Sequence, residues 1–152
     1  MTPAERCLID TNVLIYSTVS GNPWHQEARD WLTALHEAGV TLCVTPQILR
    51  ECLVVMTRGT VFETDFTMDE VLTVLQALLQ TLHVLDETTA VASALRELLR
   101  RYPVRGKRIH DANLVAAMQV HGITRLVTYN REDFRVFEEI ILEPLPQAPS
   151  GS

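Results

Sequence analysis

Short apolar runs that alternate with segments of helical period constrain this chain more than any other feature. The runs are Cys7-Leu8-Ile9, Val40-Thr41-Leu42-Cys43-Val44, Leu82-His83-Val84-Leu85, Arg125-Leu126-Val127-Thr128 and Ile140-Ile141-Leu142. Each is too short for an amphipathic helix, and runs of this kind suit strands covered on both faces. Strands separated by helices pair in parallel, with the helices packed on the two sides of the sheet. The expectation is an α/β fold: an α/β/α sandwich around a largely parallel sheet of four or five strands, with Ile140-Ile141-Leu142 at an edge.

The intervening segments carry start and stop signals. Trp24, Ala28, Trp31, Leu32, Leu35 and Ala38 recur at helical spacing, with Asn22 expected as N-cap, Pro23 as first helical residue and Gly39 as the stop. Thr45-Pro46 starts a helix with Ile48, Leu49, Cys52, Leu53 and Met56 on its apolar side, ending at Gly59. Thr67 and Glu70 have the spacing of a capping box before a helix that runs to about Gln80. Val91, Ala94, Leu95, Leu98 and Leu99 mark another, which must end before Pro103 because proline disfavours helical geometry in the residue preceding it. A basic loop, Val104-Arg105-Gly106-Lys107-Arg108, leads to a helix from about His110 to His121 that closes at Gly122.

With 152 residues and 47% hydrophobic content, the chain can build one real core. It has no internal repeat and no dividing linker, so residues 1–143 read as a single domain. The segment 144–152, PLPQAPSGS, is disordered by composition. Cys7, Cys43 and Cys52 form an odd set without C-x-x-C spacing and read as buried thiols. The N-terminus MTPAERCLIDT lacks a signal-peptide pattern, and no stretch approaches the ~20 apolar residues of a membrane span. A cytoplasmic protein with no membrane contact is expected.

The net charge of −6 argues against coating nucleic acid by bulk electrostatics, so any such contact must be local. The basic residues are uneven, with Arg96, Arg100, Arg101, Arg105, Lys107 and Arg108 clustered against the single acid Glu97. Taken alone, that cluster reads as a solvated face.

Three acids occupy positions that chemistry can use. Asp10 stands at the end of the first apolar run, where ligand sites of open α/β sheets lie, although it also suits a helix cap. Glu51 sits at the margin of a helix's buried face, as snorkelling boundary residues also do. Asp111 opens a helix whose stripe continues through Leu114, Val115 and Met118, where an N-cap role is equally natural. The three come from separate α/β units that a parallel sheet can bring to one edge. Clustered carboxylates repel unless a cation compensates, and a hard, oxygen-seeking Mg²⁺ or Mn²⁺ is the natural one. His110, beside Asp111, can shuttle a proton, but a lone histidine at a helix start reads as a surface residue.

The segments LIDTNVLIY around Asp10, the helical Glu51, HDANLVAAM around Asp111 and VTYNREDF around Asn130 together resemble the PIN-domain family, above all its VapC-type toxin ribonucleases. The resemblance covers nearly the whole chain, from about Cys7 to Leu142, in the family's order and spacing. It implies a Rossmann-like sandwich with an acidic pocket for one or two Mg²⁺ or Mn²⁺ ions. It also implies an endoribonuclease that hydrolyses phosphodiester bonds with cation-activated water. Asp10, Glu51 and Asp111 match the family's best-defined catalytic, metal-binding acids. Thr11, Asn12 and Thr128 match its supporting polar groups.

The fourth position departs from the pattern: where some relatives have aspartate, this chain has Asn130, with Asp133 three residues on, which makes Asn130 a weaker ligand. The position of Arg105, Lys107 and Arg108 just before Asp111 gives the basic loop a second reading, as contacts to the RNA backbone. The resemblance further implies a homodimer and a cognate antitoxin. Two other readings stay open. A haloacid-dehalogenase-type phosphatase shares the first-strand aspartate, but needs a second aspartate where this chain has Asn12. A non-cleaving RNA- or protein-binding module is compatible with Asn130.

Overall fold

All five apolar runs form strands in the computed structural model, which describes residues 5–146. The strands are β1 (Arg6–Ile9), β2 (Thr41–Val44), β3 (His83–Val84), β4 (Arg125–Val127) and β5 (Ile141–Leu142). Among the described residues they make one sheet of order β3-β2-β1-β4-β5, parallel throughout. Cys7 stands between Leu42 and Arg125, and Leu8 between Cys43 and Leu126, so β1 is the central strand.

The helices between them are α1 (Thr11–Thr18), α2 (His25–Glu37), α3 (Pro46–Thr57), α4 (Met68–Thr81), α5 (Thr89–Arg101), α6 (Arg108–Val120) and α7 (Arg131–Phe134). From β1 the chain steps outward to β2 and β3, then crosses back to β4 and β5. Parallel crossovers are right-handed, so reversing the direction of travel moves the helices to the opposite face. Helices α1 to α4 therefore cover one face and α5 to α7 the other, as the packing of α1 on α3, α3 on α4 and α5 on α6 requires. The reversal leaves a crevice between the carboxyl ends of β1 and β4, where ligand sites of such sheets form.

Burial explains the strand composition. Cys7, Leu8, Ile9, Cys43, Val44, Leu126 and Val127 are fully enclosed between Val13, Leu14 and Ile48 of one helical layer and Leu114, Val115 and Met118 of the other. The three cysteines are free and buried, as their apolar settings imply. Thr45 caps α3 by accepting from the Ile48 N–H, and Thr67 and Glu70 form the capping box of α4. No helix of the described residues is long and apolar enough to cross a membrane.

Several local expectations are corrected. Asn22 does not cap α2, which begins only at His25. Its buried amide instead donates to the Tyr16 carbonyl at 3.2 Å and accepts from the Trp24 N–H at 3.0 Å, tying the end of α1 to the start of α2. Helix α6 begins at Arg108, two residues early, which takes Arg108 out of the basic loop. Strand β3 is two residues rather than four, and the short α7, anchored by buried Phe134, had no periodic signal. Of the segment expected to be disordered, 147–152 lies outside the described residues.

Candidate active site

Asp10 is 6% exposed, at the point where β1 passes into α1. Its backbone N–H still bonds the Val127 carbonyl at 2.9 Å, which holds it to the end of β4. The carboxylate is gripped from both sides. Oδ1 accepts from the Thr11 N–H at 2.8 Å, while Oδ2 accepts from the Thr128 hydroxyl at 2.8 Å and the Asn12 amide at 3.3 Å. Asp10 is thus also the N-cap of α1, so capping and a role in a site coexist. The other end of Asn12 accepts from the Tyr129 N–H at 3.2 Å, and fully buried Thr128 accepts from the Asn130 N–H at 2.9 Å. The loops after β1 and β4 are laced together by these contacts.

Glu51 reaches the same place from α3. Its Oε2 accepts from the Thr11 hydroxyl at 2.7 Å and its Oε1 from the Gln47 amide at 2.8 Å. Asp111 comes from the opposite helical layer, in the first turn of α6 rather than at its cap. Asp10, Thr11, Asn12, Glu51, Asp111 and Asn130 all line one cleft of about 530 Å³. Asp133 adds charge nearby, its Oδ2 accepting from the Asn130 amide at 2.9 Å.

The electrostatics record the crowding of acids. Burial, followed by repulsion from Asp10 and Asp133, pushes the Asp111 carboxyl from its usual 3.8 up to about 7, against the pull of Arg108. Burial lifts Asp10 to about 6, although the bonds from Thr128, Thr11 and Asn12 favour its charged form and the repulsion of Glu51 adds to the rise. Both carboxyls therefore ionise only at a cost, Asp111 incompletely at neutral pH, and a nearby cation would relieve that cost. Among the described residues no three His, Cys, Asp or Glu side chains are drawn together closely enough to hold a metal ion as they stand. Asp10 and Glu51 instead turn their oxygens to hydroxyl and amide donors. Chemically, three carboxylates and one amide facing a common cleft fit a hard divalent cation, and nothing softer than oxygen contributes.

The basic residues separate. Arg108 turns inward, donating to the Asp133 carbonyl at 2.6 Å, while its Nε is buried without a partner. Lys107 lines an adjoining cavity with Arg50 and Arg58, and Arg105 is exposed. His110 is exposed, and its backbone carbonyl, not its ring, accepts from Gln47 at 3.0 Å.

Gln47 was missed at the level of sequence. Its amide is 5% exposed and joins Glu51, the His110 carbonyl and Asn113, whose Nδ2 donates to it at 2.7 Å. The only signal was its place four residues before Glu51, which matches a surface helical pair just as well. Tyr16, Arg58 and Phe62 on the cleft wall carried no signal either.

A family model described as PIN domain matches residues 7–140. The chain belongs to the PIN-domain family. Among solved structures, this PIN domain is similar to a chain of the Rickettsia felis VapBC2 structure bound to a DNA fragment from their promoter. The TM-score is 0.69 and the identity 18%, covering 91% of this chain and 97% of that one. A toxin-antitoxin complex from Klebsiella pneumoniae gives 0.62 and 21%, covering 89% and 95%. Mycobacterium tuberculosis VapC20, a sarcin-ricin loop cleaving toxin, gives 0.64 and 17%, covering 88% and 98%. At such identities the likeness is one of fold. No curated protein sequence matches the chain. Membership of the PIN family sets the phosphatase reading aside, and Asn12 is engaged in holding Asp10 and the Tyr129 backbone.

Proposed function

We propose that this PIN domain is a divalent-metal-dependent endoribonuclease of the VapC type, the toxin of a toxin-antitoxin pair. The observation that carries the reading is the delivery of Asp10, Glu51 and Asp111, from three separate elements, to one cleft at the β1/β4 crevice. Asp10, Glu51 and Asp111 would hold Mg²⁺ or Mn²⁺, with Asn130 as a neutral and weaker fourth donor, so that one ion is held more firmly than a second. Such a cation, when bound, supplies an acidified water as nucleophile and offsets charge on the scissile phosphate.

The chain's own residues supply the positioning. Thr128, Thr11 and Asn12 fix both oxygens of Asp10, and the Thr11 hydroxyl and Gln47 amide aim Glu51. The positive charge of Arg108 favours the ionised form of Asp111. Lys107 faces the adjoining cavity, where RNA phosphates can pass, and Arg105 is free at the surface for the same backbone.

The solved neighbours that are toxin-antitoxin complexes support an antitoxin partner for this chain as well; a homodimer and residence in the cytoplasm are part of the same reading and rest on the family resemblance alone. Exposed Val54 on α3 and Met68, Leu72 and Leu79 on α4 offer apolar surface for such contacts.

The test incubates purified protein with structured RNAs and Mg²⁺ or Mn²⁺, beside Asp10→Asn and Asp111→Asn. Cleavage by the wild type that disappears with EDTA and in both variants is the expected result. Metal-independent cutting, or equal cutting by the variants, refutes it, and RNA binding without any cleavage returns the chain to the non-cleaving module that Asn130 allows.

A further inference from the structure

The acidic cleft has an apolar wall of its own and adjoins a second cavity of opposite character. On one side Ile15, Tyr16, Val55, Val61 and Phe62 make an apolar wall. On the other, a cavity of about 580 Å³ is lined by Arg50, Arg58, Lys107 and His110. Thr11, Glu51, Val55 and Arg58 line both, so the two cavities meet at Glu51.

The aromatic lobe is built, not incidental. The Tyr16 ring stacks on Trp24 with centroids 4.8 Å apart, and Tyr129 and Phe62 pack against it at 5.4 and 5.9 Å. Phe62 reaches its place through an unfavourable backbone. Phe62 and Glu63 have φ of +47° and +67° in a tight turn closed by Val61 and Thr64, which exchange backbone bonds of 2.8 and 2.9 Å. Two successive positive φ values belong to the turn type that normally takes asparagine and glycine. A bulky side chain there carries strain, and strain of this kind collects at working sites. The basic lobe has cations to spare: among the described residues Arg58 and Lys107 form no ion pair, and Arg50 has only one at 3.8 Å, to Glu87.

We propose, building on the nuclease reading, that the aromatic lobe receives one unpaired nucleobase of the RNA against Tyr16 and Phe62, while the adjoining phosphates run along Arg58, Arg50 and Lys107. A nucleotide is a flat apolar body with an anion attached, and the lobes offer an aromatic wall and a cationic rim in that order. Every base has a π face, so the wall selects for an unstacked base and not for its identity. A base inside an RNA helix cannot enter, whereas one splayed from a loop or bulge can. The backbone beside that base then crosses the floor of Asp10, Glu51 and Asp111. The enzyme would therefore cut next to an extruded nucleotide, reading structure before sequence.

The experiment uses an RNA hairpin that the wild type cuts and a set of copies with one abasic nucleotide at each position flanking the cut. One abasic position should lower kcat/KM roughly ten-fold or more, the scale of a lost base stack. In Phe62→Leu, with folding checked by near-ultraviolet circular dichroism, intact RNA should be cut more slowly and the abasic penalty should shrink. A second readout needs no turnover: in Asp111→Asn, tryptophan emission from the cluster should be quenched by a short single-stranded RNA and less by its abasic counterpart. If RNA is cut but all abasic copies are cut as fast as the parent, the inference fails while the nuclease reading stands. An abasic penalty left unchanged in Phe62→Leu also overturns it, and leaves the lobe to a protein side chain. If no RNA is cut with any cation, both fall together.

Discussion

The Thr11 hydroxyl donates to Glu51 Oε2 at 2.7 Å, joining the first turn of α1 to the middle of α3 across forty residues of sequence. One turn of helix thus serves two acids, since the Thr11 backbone holds Asp10 while its side chain holds Glu51. Replacing Thr11 by Val keeps the backbone bond and the shape but frees Glu51. Loss of such an orienting partner typically weakens metal binding or activity about 10- to 100-fold. Thr11→Val should fall in that range for Mn²⁺ affinity by titration, and Thr11→Ser should restore most of it. Wild-type affinity in Thr11→Val would remove the positioning role.

Asp111 makes stability depend on pH in the direction opposite to an ordinary salt-bridged acid. Its carboxyl binds protons more readily in the folded chain, where it titrates at about 7, than when unfolded, near the usual 3.8. The folded state therefore holds more protons between those values, and stability falls as pH rises through the interval. Asp111→Asn removes the charge, so without added metal it should be more stable than the wild type at pH 8, by about 1–2 kcal/mol after allowing for solvent screening. At pH 4 the advantage should be absent. Urea melts at the two pH values in EDTA decide it, and a variant less stable than wild type at pH 8 contradicts the account.

The same repulsion predicts stabilisation by cations. A ligand that binds only the folded chain adds roughly 2.7 kcal/mol at a hundred times its Kd, or roughly 5–10 °C in Tm for a domain of this size. Mg²⁺ or Mn²⁺ should raise Tm in the wild type, and the gain should vanish in a double Asp10→Asn, Asp111→Asn variant. An equal rise in both proteins would place the cation elsewhere.

The strands were legible because burial on both faces leaves an uninterrupted apolar run, as in Cys7-Leu8-Ile9 and Leu126-Val127. Helix ends were legible where the cap is local, as with Thr45 and with Thr67 and Glu70. Asn22 misled because its amide is claimed by the Tyr16 carbonyl, a partner that the helix it precedes does not supply. Helix α7 is a single turn and has no period to detect. In the cleft, the acids could be named from their places after β1, on α3 and at the start of α6. Their supports could not, because Gln47 is buried only where α6 crosses over it, and the role of Phe62 depends on a turn its residue type disfavours.

Buried thiols should be inert in the folded chain. Burial raises the pKa of all three cysteines, that of Cys7 and Cys52 to about 12, and the acids Glu51 and Asp10 add to the rise at Cys52. Reaction requires thiolate and access, and both are lacking. A water-soluble disulfide reagent should label none of the three until denaturant is added, at a rate set by unfolding. Rapid labelling of one thiol in native buffer would show that its surroundings open.

Gln47 couples the acid of one helical layer to the other layer. Its Nε2 donates both to Glu51 and to the His110 carbonyl, while its Oε1 accepts from Asn113, which also donates to Glu87 at 2.7 Å. Gln47→Leu fills the same space but leaves the partly buried His110 carbonyl and one Asn113 bond without a partner, costing about 1–3 kcal/mol. Gln47→Glu restores an acceptor for Asn113 and places a second acid against Glu51, so it should be the worse variant above pH 7 and improve as the pH falls. Stability by urea denaturation and Mn²⁺ affinity should decline together in Gln47→Leu, because the one side chain fixes both the α3–α6 contact and the aim of Glu51. A variant with lowered stability and unchanged affinity would confine Gln47 to packing.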